Sequence, residues 1–310
     1  EYIPLYKRYS TFMSSPNIPG DIFRIACGPG SDDFNWTEQL MKGIPHWMMN
    51  GISIHHYSVI DWSAGKKSSA TAFSEQEYFI TMQRALRMEQ LVQKHSTIMD
   101  KYDPAKKIAL VVDEWGGWYE TEPGTNGSFL YQQNTLRDAM IAGVTLNIFN
   151  NHCDRVRMAN LAQTINVLQA VILTEGEKML LTPTYHVMEM YNVHQDALML
   201  PLHISTVDFS LGNEKLPAVS ASASRDKTGV THISLVNIDS RQSQNLVIDL
   251  RGGAFATVKG RILTGKKLQD HNTFNEPDHV QPADFQGAAL KENRLSVTLP
   301  PFSVVVLSVR

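Results

Sequence analysis

Residues 110–120 spell LVVDEWGGWYE. An apolar, β-branched run delivers two adjacent carboxylates, Asp113 and Glu114, into a turn of rings and glycines: Trp115, Gly116, Gly117, Trp118 and Tyr119. A carboxylate can attack carbon, or carry a proton to and from a reacting oxygen. Aromatic faces pack on the apolar faces of sugar rings. The combination suits glycosidic chemistry, because an anion beneath the anomeric carbon stabilises an oxocarbenium-like transition state and can attack it. Glu114 is the candidate for that role. Asp113, on the alternate face of a regular strand, is expected to be structural. A second group lies at residues 54–57, Ile-His-His-Tyr. His55 and Tyr57 share one face of an extended segment and His56 takes the other. The first two could orient a carboxylate by hydrogen bonds. Bland readings stand beside these: an ion-paired strand end for Asp113–Glu114, and partly buried imidazoles for His55 and His56.

Other polar words carry less. Cys27, Gly28, Ser31, Asp32 and Asp33 follow one apolar run, and Asn150, Asn151, His152 and Asp154 follow another. The latter could suggest a metal site, but no second ligand cluster has matching spacing, and no metal is expected. Gly28-Pro29-Gly30 is a turn without a dinucleotide or Walker pattern behind it. No G-x-S-x-G nucleophile elbow exists. Protons and carboxylates need no cofactor, and none is expected.

Such groups need a frame. Residues 21–28, 49–58, 107–115 and 144–151 are apolar or alternating runs expected as strands. Residues 34–44, 128–143, 158–172 and 183–195 are expected as helices, the second of them ended by Gly143. Ser74 with Glu77 three residues on forms a capping box, opening a long helix that carries Phe79, Met82, Leu86 and Ile98. Strands separated by helical crossovers imply parallel βαβ units. Functional groups then sit at the carboxyl ends of the strands. Four strands are half of a (β/α)8 barrel; a doubly wound open sheet is the alternative. After residue 195 the pattern changes to short alternating segments, such as 231–239, 245–252 and 294–310, separated by turn residues. They predict an antiparallel β-sandwich. The expected domains are therefore 1–195 and 196–310.

Bulk composition excludes several classes. The chain has 310 residues, 43% hydrophobic and 19% charged, with a net charge of −3. No basic excess or charged block points to nucleic acid. No apolar run is long enough to span a membrane. Two cysteines, Cys27 and Cys153, are too few for a disulfide framework and are expected as reduced core thiols. The chain opens EYIPLYKRYSTFM, with Tyr2, Leu5, Tyr6, Tyr9 and Phe12 at helical spacing and no initiator Met or signal peptide. It reads as an amphipathic helix entered in mid-stride.

The words VDEWGGWYETEPGT, LYQQNTLRDAMIAGVTLNIFNNHCDRVRMANLAQTINVLQAVILT, RIACG followed by DDFNWTEQLM, and NTFNEPDHVQP resemble the α-L-arabinofuranosidases of glycoside hydrolase family 51. The resemblance covers nearly the whole chain. It implies a retaining hydrolase that releases terminal non-reducing α-L-arabinofuranosyl groups from arabinose-containing oligo- and polysaccharides. It implies a TIM barrel with an acid/base Glu after the fourth strand and a nucleophile Glu at the end of the seventh. The nucleophile word falls on Glu114. Sugar-site residues fall on His55, Tyr57, Trp118 and Gln163, and Cys27 lies where the fifth strand reaches the pocket. The family's acid/base word, Gly-Asn-Glu, occurs only at 212–214, in the β-rich part, where it is expected to be a coincidence. The visible strands are then barrel strands five to eight, followed by the jelly roll-like sandwich. The acid/base is expected upstream of Glu1, on a first barrel half that completes the enzyme, and the chain alone is expected to be inactive. The resemblance also implies a homo-oligomer. Composition leaves neither nucleic-acid nor membrane partners expected, and the expected place is soluble, intracellular or periplasmic. The rivals are a carbohydrate-binding remnant without catalysis and a related retaining glycosidase acting on xylosides or glucans.

Overall fold

The computed structural model describes residues 1–13, 22–63 and 65–310. Asp21, where the first strand is expected to begin, lies outside the described residues. The first half of the chain runs α1 (Tyr2–Ser10), β1 (Ile25–Ala26), α2 (Phe34–Gly43), β2 (Gly51–Ser58), α3 (Glu75–Tyr102), β3 (Ala109–Gly117), α4 (Leu136–Asn151) and β4 (Val156–Leu161). By contacts the chain falls into two compact units. One comprises Glu1–Tyr57, Arg87–Trp115 and His152–Leu161; the other comprises Ser58–Leu86, Gly116–Asn151 and Ala162–Arg310.

The first unit is built on a sheet of order β1-β2-β3-β4, in which β1 runs parallel to β2 and β3 parallel to β4. Each strand lies beside its successor. A doubly wound sheet would reverse this order at a switch point, so the sequential order is that of a barrel segment. Ala109 to Val112 are completely buried, as expected for a strand covered on both faces. At the amino end of β3 and β4 the buried Arg155 gathers the chain. Its Nη1 donates to Asp103 Oδ2 (2.8 Å) and Ile108 O (2.7 Å), and its Nη2 to Asp103 O (2.9 Å) and to Asp100. Burial alone would raise the Asp103 pKa, but the Ile108 N–H and the Arg155 guanidinium hold it below the usual carboxylate range.

The second unit contains α4, the hairpins, α5 and the sandwich. Its elements after β4 are β5 (Ile172–Glu175), β6 (Lys178–Leu181), α5 (Pro183–Met190), β7 (Leu198–Met199), β8 (Asp208–Leu211), β9 (Glu214–Pro217), β10 (Val219–Arg225), β11 (Thr231–Asn237), β12 (Gln244–Asp249), β13 (Val258–Leu263), β14 (Ala283–Asp284), β15 (Ala288–Lys291), β16 (Arg294–Leu299) and β17 (Ser303–Val309). One sheet has the order β14-β13-β17-β11-β10-β7 and a second β12-β16-β15. Alternation along β16 buries Leu295, Val297 and Leu299, as the pattern predicts. The capping box also forms: Glu77 N–H donates to Ser74 Oγ (3.2 Å) and Ser74 N–H to Glu77 Oε2 (2.7 Å).

Four expectations fail. Residues 144–151 are not a strand; they continue α4, which starts only at Leu136. Gly143 does not stop the helix. A Cβ there would lie 2.8 Å from Val236 Cγ2, so the glycine permits close packing of α4 on the sandwich sheet. Residues 158–172 are not a helix. Val156–Leu161 form the fourth strand, and positive φ at Asn166 and Leu168 rules out a helix beyond it. The cysteines are not core residues: Cys27 and Cys153 are both exposed, free thiols. The count of four parallel strands stands, with a different fourth member.

Candidate active site

In the first unit, three side chains meet at the carboxyl ends of β2 and β3. Tyr57 donates its hydroxyl to Glu114 Oε2 (2.8 Å). His55 Nδ1 lies 3.4 Å from the same oxygen, and His55 Nε2 lies 3.0 Å from Asp113 Oδ1. Burial first, and then the hydrogen bond to Glu114, raise the Tyr57 pKa above that of a free phenol. The hydroxyl therefore keeps its proton and serves as a donor to a carboxylate.

Both acids reach His55 because β3 is not regular there. Val112 pairs with Ala159 and Trp115 with Leu161, so three steps on β3 oppose two on β4. The extra residue is a β-bulge at Asp113–Glu114, which suspends strict alternation. The expected placement of Asp113 on the opposite face is thereby corrected: both residues are partly exposed and both lie against the same imidazole. On β2 the alternation holds. His55 and Tyr57 address the carboxylates, while the buried His56 turns to Ser31 Oγ (3.3 Å).

The β1–α2 loop braces this strand end. Ser31 N–H donates to His55 O (2.8 Å), and His55 N–H to Pro29 O (3.4 Å). Ser31 O accepts from His95 Nε2 (2.8 Å), so His95 Nδ1 is the acceptor for the Thr37 hydroxyl (2.9 Å). Burial lowers the His95 pKa, in keeping with this neutral tautomer. Gly28 allows the close approach of the loop: a Cβ there would fall 1.6 Å from Ser53 O. The polar residues after β1 are thus scaffold. Asp33 caps α2 through Trp36 N–H (3.0 Å) and Asp32 pairs with Arg87. Cys27 is flanked by rings: its N–H donates to Tyr2 Oη (2.7 Å) and its carbonyl accepts from Trp36 Nε1 (2.9 Å).

Trp118 and Gln163 belong to the second unit. Trp118, directly after β3, meets Trp62 edge to face with ring centroids 5.4 Å apart, and Lys67 Nζ lies 5.9 Å from its ring. Gln163, two residues after β4, has an exposed side chain; its N–H donates to Val167 O (3.2 Å) and its carbonyl accepts from Val171 N–H (3.3 Å). Asn150, Asn151, His152 and Asp154 are at no strand's carboxyl end. They close α4 and precede β4, with Asn150 bonded to Ser222 Oγ (3.0 Å) and His152 to Glu89 (2.7 Å). Gly212–Glu214 turn the β8–β9 hairpin. Among the described residues no group of three His, Cys, Asp or Glu side chains is placed to hold a metal ion, and no helix is long and apolar enough to cross a membrane.

Sequence reasoning missed Trp62, Lys67, Arg137 and Gln169. Gln169 is buried and accepts from Gly117 N–H through Oε1 (2.6 Å). The available signal for Trp62 was its position, four residues beyond the end of β2, in a loop otherwise poor in rings.

A carboxylate held at the carboxyl end of a strand, in a sheet of sequential order, is the arrangement of (β/α)8-barrel proteins. Comparison with known proteins narrows this. The model of the α-L-arabinofuranosidase C-terminal domain matches residues 113–303. An intracellular exo-α-L-arabinofuranosidase of Bacteroides ovatus is 46% identical over the whole chain, which covers 60% of that protein. The crystal structure of the GH51 arabinofuranosidase from Xanthomonas axonopodis pv. citri superimposes with a TM-score of 0.96 at 45% identity; all of this chain and 62% of that one are covered. An intracellular exo-α-(1→5)-L-arabinofuranosidase of Bifidobacterium longum is 25% identical, over 90% of this chain and 54% of its own length. The chain belongs to the α-L-arabinofuranosidases of glycoside hydrolase family 51, with a C-terminal half barrel followed by a β-sandwich. It spans between 54% and 62% of the length of these relatives.

Proposed function

We propose that the chain carries the nucleophile of a retaining, exo-acting α-L-arabinofuranosidase that releases terminal non-reducing arabinofuranosyl groups from arabinose-containing oligo- and polysaccharides. The observation that carries this reading is the 2.8 Å bond from Tyr57 to Glu114 Oε2, at the carboxyl end of β3, with His55 at the same oxygen. Both contacts fall on Oε2, which leaves the attack on the anomeric carbon to Oε1. Attack forms a C–O bond to Glu114 as the glycosidic C–O bond breaks; the leaving oxygen takes a proton from a second carboxylic acid. That group, as carboxylate, then takes a proton from water, which attacks the anomeric carbon and releases Glu114. In the relatives' longer sequence this second acid has room outside the 310 residues, and the chain alone is then inactive. Trp118 and Gln163, each just past a strand end, contact the sugar. Residues 1–195 form the barrel part and 196–310 the sandwich domain. The whole protein works as an intracellular homo-oligomer, which light scattering on the purified protein would check.

The test is Glu114→Gln in the full-length protein, read by release of 4-nitrophenol from its α-L-arabinofuranoside. We expect activity to fall by at least about 10^3-fold. Intact-protein mass spectrometry of the wild type with a slow 2-fluoro-arabinosyl substrate should show one pentosyl adduct on Glu114. Activity near wild type in the variant, or an adduct elsewhere, refutes the assignment.

A further inference from the structure

Arg137 is completely buried on α4, and it does not face an acid in an ordinary ion pair. Its guanidinium carbon sits 3.8 Å from the centroid of Phe73 and 3.6 Å from that of Tyr119, stacked between two rings. Its Nη2 donates to two backbone carbonyls, Ser69 O (2.9 Å) and Ala70 O (3.2 Å). Phe73, Ser69 and Ala70 belong to the loop after β2, and Tyr119 to the loop after β3. One buried cation therefore holds both loops. The loops are also tied to each other: Glu120 N–H donates to Ser68 O (2.9 Å) and Lys67 N–H to Glu120 Oε1 (3.1 Å). Beneath them, Gln132 Oε1 accepts from Tyr119 N–H (2.9 Å) and its Nε2 donates to Gly117 O (3.1 Å).

These two loops carry Trp62 and Trp118. Trp62 is 59% exposed, yet it is held edge to face against Trp118. A partly exposed ring pair at a fixed angle is a surface for the apolar face of a sugar, and fixing it before binding removes the cost of ordering it. Burying a guanidinium is expensive unless its donors and faces are used. Here Nη2 is used on loop backbone and both faces on loop rings. A solvated arginine would serve the helix alone equally well.

We propose that Arg137 is a positioning residue for substrate binding, locking the two loops so that Trp62 and Trp118 form a preassembled platform for a sugar ring. The proposal makes Trp62 a second sugar-contacting tryptophan, and it rests on the arabinofuranosidase reading for the identity of the ligand. Arg137 touches no substrate; it acts through the rings.

The test uses the full-length protein and two readouts. The first is the near-UV circular dichroism couplet of the Trp62–Trp118 pair, obtained as the difference between wild type and Trp62→Phe. The second is the separation of KM from kcat on an arabinan oligosaccharide. Arg137→Met should abolish most of the couplet and raise KM about 10-fold, with kcat within about twofold. Arg137→Lys, which keeps the charge but loses the planar group stacked between Phe73 and Tyr119, should lie between. Glu120→Ala loosens the same loops from the partly exposed side. It should shift KM about threefold, which keeps the test open if the Arg137 variants do not fold. An unchanged couplet in a folded Arg137→Met protein overturns the lock, as does an unchanged couplet in Glu120→Ala if only that variant folds. A lost couplet with unchanged KM overturns the role in binding. Glu114→Gln is run in parallel: if it turns over like wild type, the catalytic reading fails, and the couplet still decides whether Arg137 holds the rings.

Discussion

Tyr57→Phe isolates what the hydroxyl does for Glu114. The substitution removes one oxygen and leaves the ring, so packing at the end of β2 is preserved. The bond lost is a 2.8 Å hydrogen bond to a carboxylate. Such bonds contribute about 1.5–3 kcal/mol, more than neutral ones. The effect on the two chemical steps is unequal. In the first, Glu114 loses charge as it attacks, so the bond weakens toward the transition state and its removal is partly compensated by a more reactive carboxylate. In the second, charge returns to the departing carboxylate, and the donor stabilises that transition state. If half of the interaction is realised there, the second step loses about 1 kcal/mol or slightly more, or about 5- to 10-fold in rate. Tyr57→Phe should therefore lower kcat by about 5- to 10-fold while kcat/KM, which reports the first step, changes less than about threefold. The glycosyl-enzyme should accumulate. The assay is stopped-flow release of 4-nitrophenol in the full-length protein, with rapid acid quench and intact mass. A burst of nitrophenol and a pentosyl adduct in the variant are the expected outcome. A variant with equal losses in kcat and kcat/KM and no burst would show that Tyr57 only positions Glu114, and the charge argument would fall.

Stability offers further tests. Arg155→Ala should cost about 3–5 kcal/mol in urea denaturation, because it strands the buried Asp103 carboxylate. Gly28→Ala should cost at least about 3 kcal/mol and reduce activity, since the added carbon would meet backbone Ser53 O and not a movable side chain. His194 is pushed down to about 4, by burial first and by neighbouring His232 second, while it bonds Ser224 Oγ (2.7 Å). The unfolded chain binds this proton more readily, so the stability it supports is complete above about pH 6.5 and is lost as pH falls toward 4. The loss is about 3 kcal/mol at most, and His194→Gln should flatten the pH dependence of Tm across that window; an unchanged slope would refute it.

Legibility in the sequence differed by the kind of signal. Local chemistry was readable. Ser74 and Glu77 predicted a helix start, and the period of two on β2 correctly paired His55 with Tyr57 and set His56 apart. The β-segments at 244–249 and 294–299 were equally plain, because one face of each is wet and the alternation is clean. What failed depended on tertiary contact. Residues 144–151 are apolar and β-branched enough for a strand, but α4 is buried nearly all round, and its apolar character follows from burial and not from period. Gly143 looked like a helix stop because a glycine chosen for close packing and a glycine chosen for positive φ are the same letter. Residues 158–172 carry a helical spacing of apolar residues that the positive φ angles at Asn166 and Leu168 forbid. The family word around Glu114 was legible, whereas the bulge that turns Asp113 to the same imidazole was not, since a register shift needs both strands to be seen.

That bulge makes β3 sensitive to length in a way it is not sensitive to composition. One supernumerary residue brings Asp113 and Glu114 to His55 together, while Ala109–Val112 before it remain buried. A deletion of one residue between Val112 and Trp115 would remove the local bulge against Ala159–Leu161 and send one acid to the covered face, though every remaining side chain is unaltered. In a population of relatives, this stretch should therefore tolerate substitutions among its apolar residues and reject every insertion or deletion. The chemistry at Glu114 depends on a count of residues as much as on their kinds.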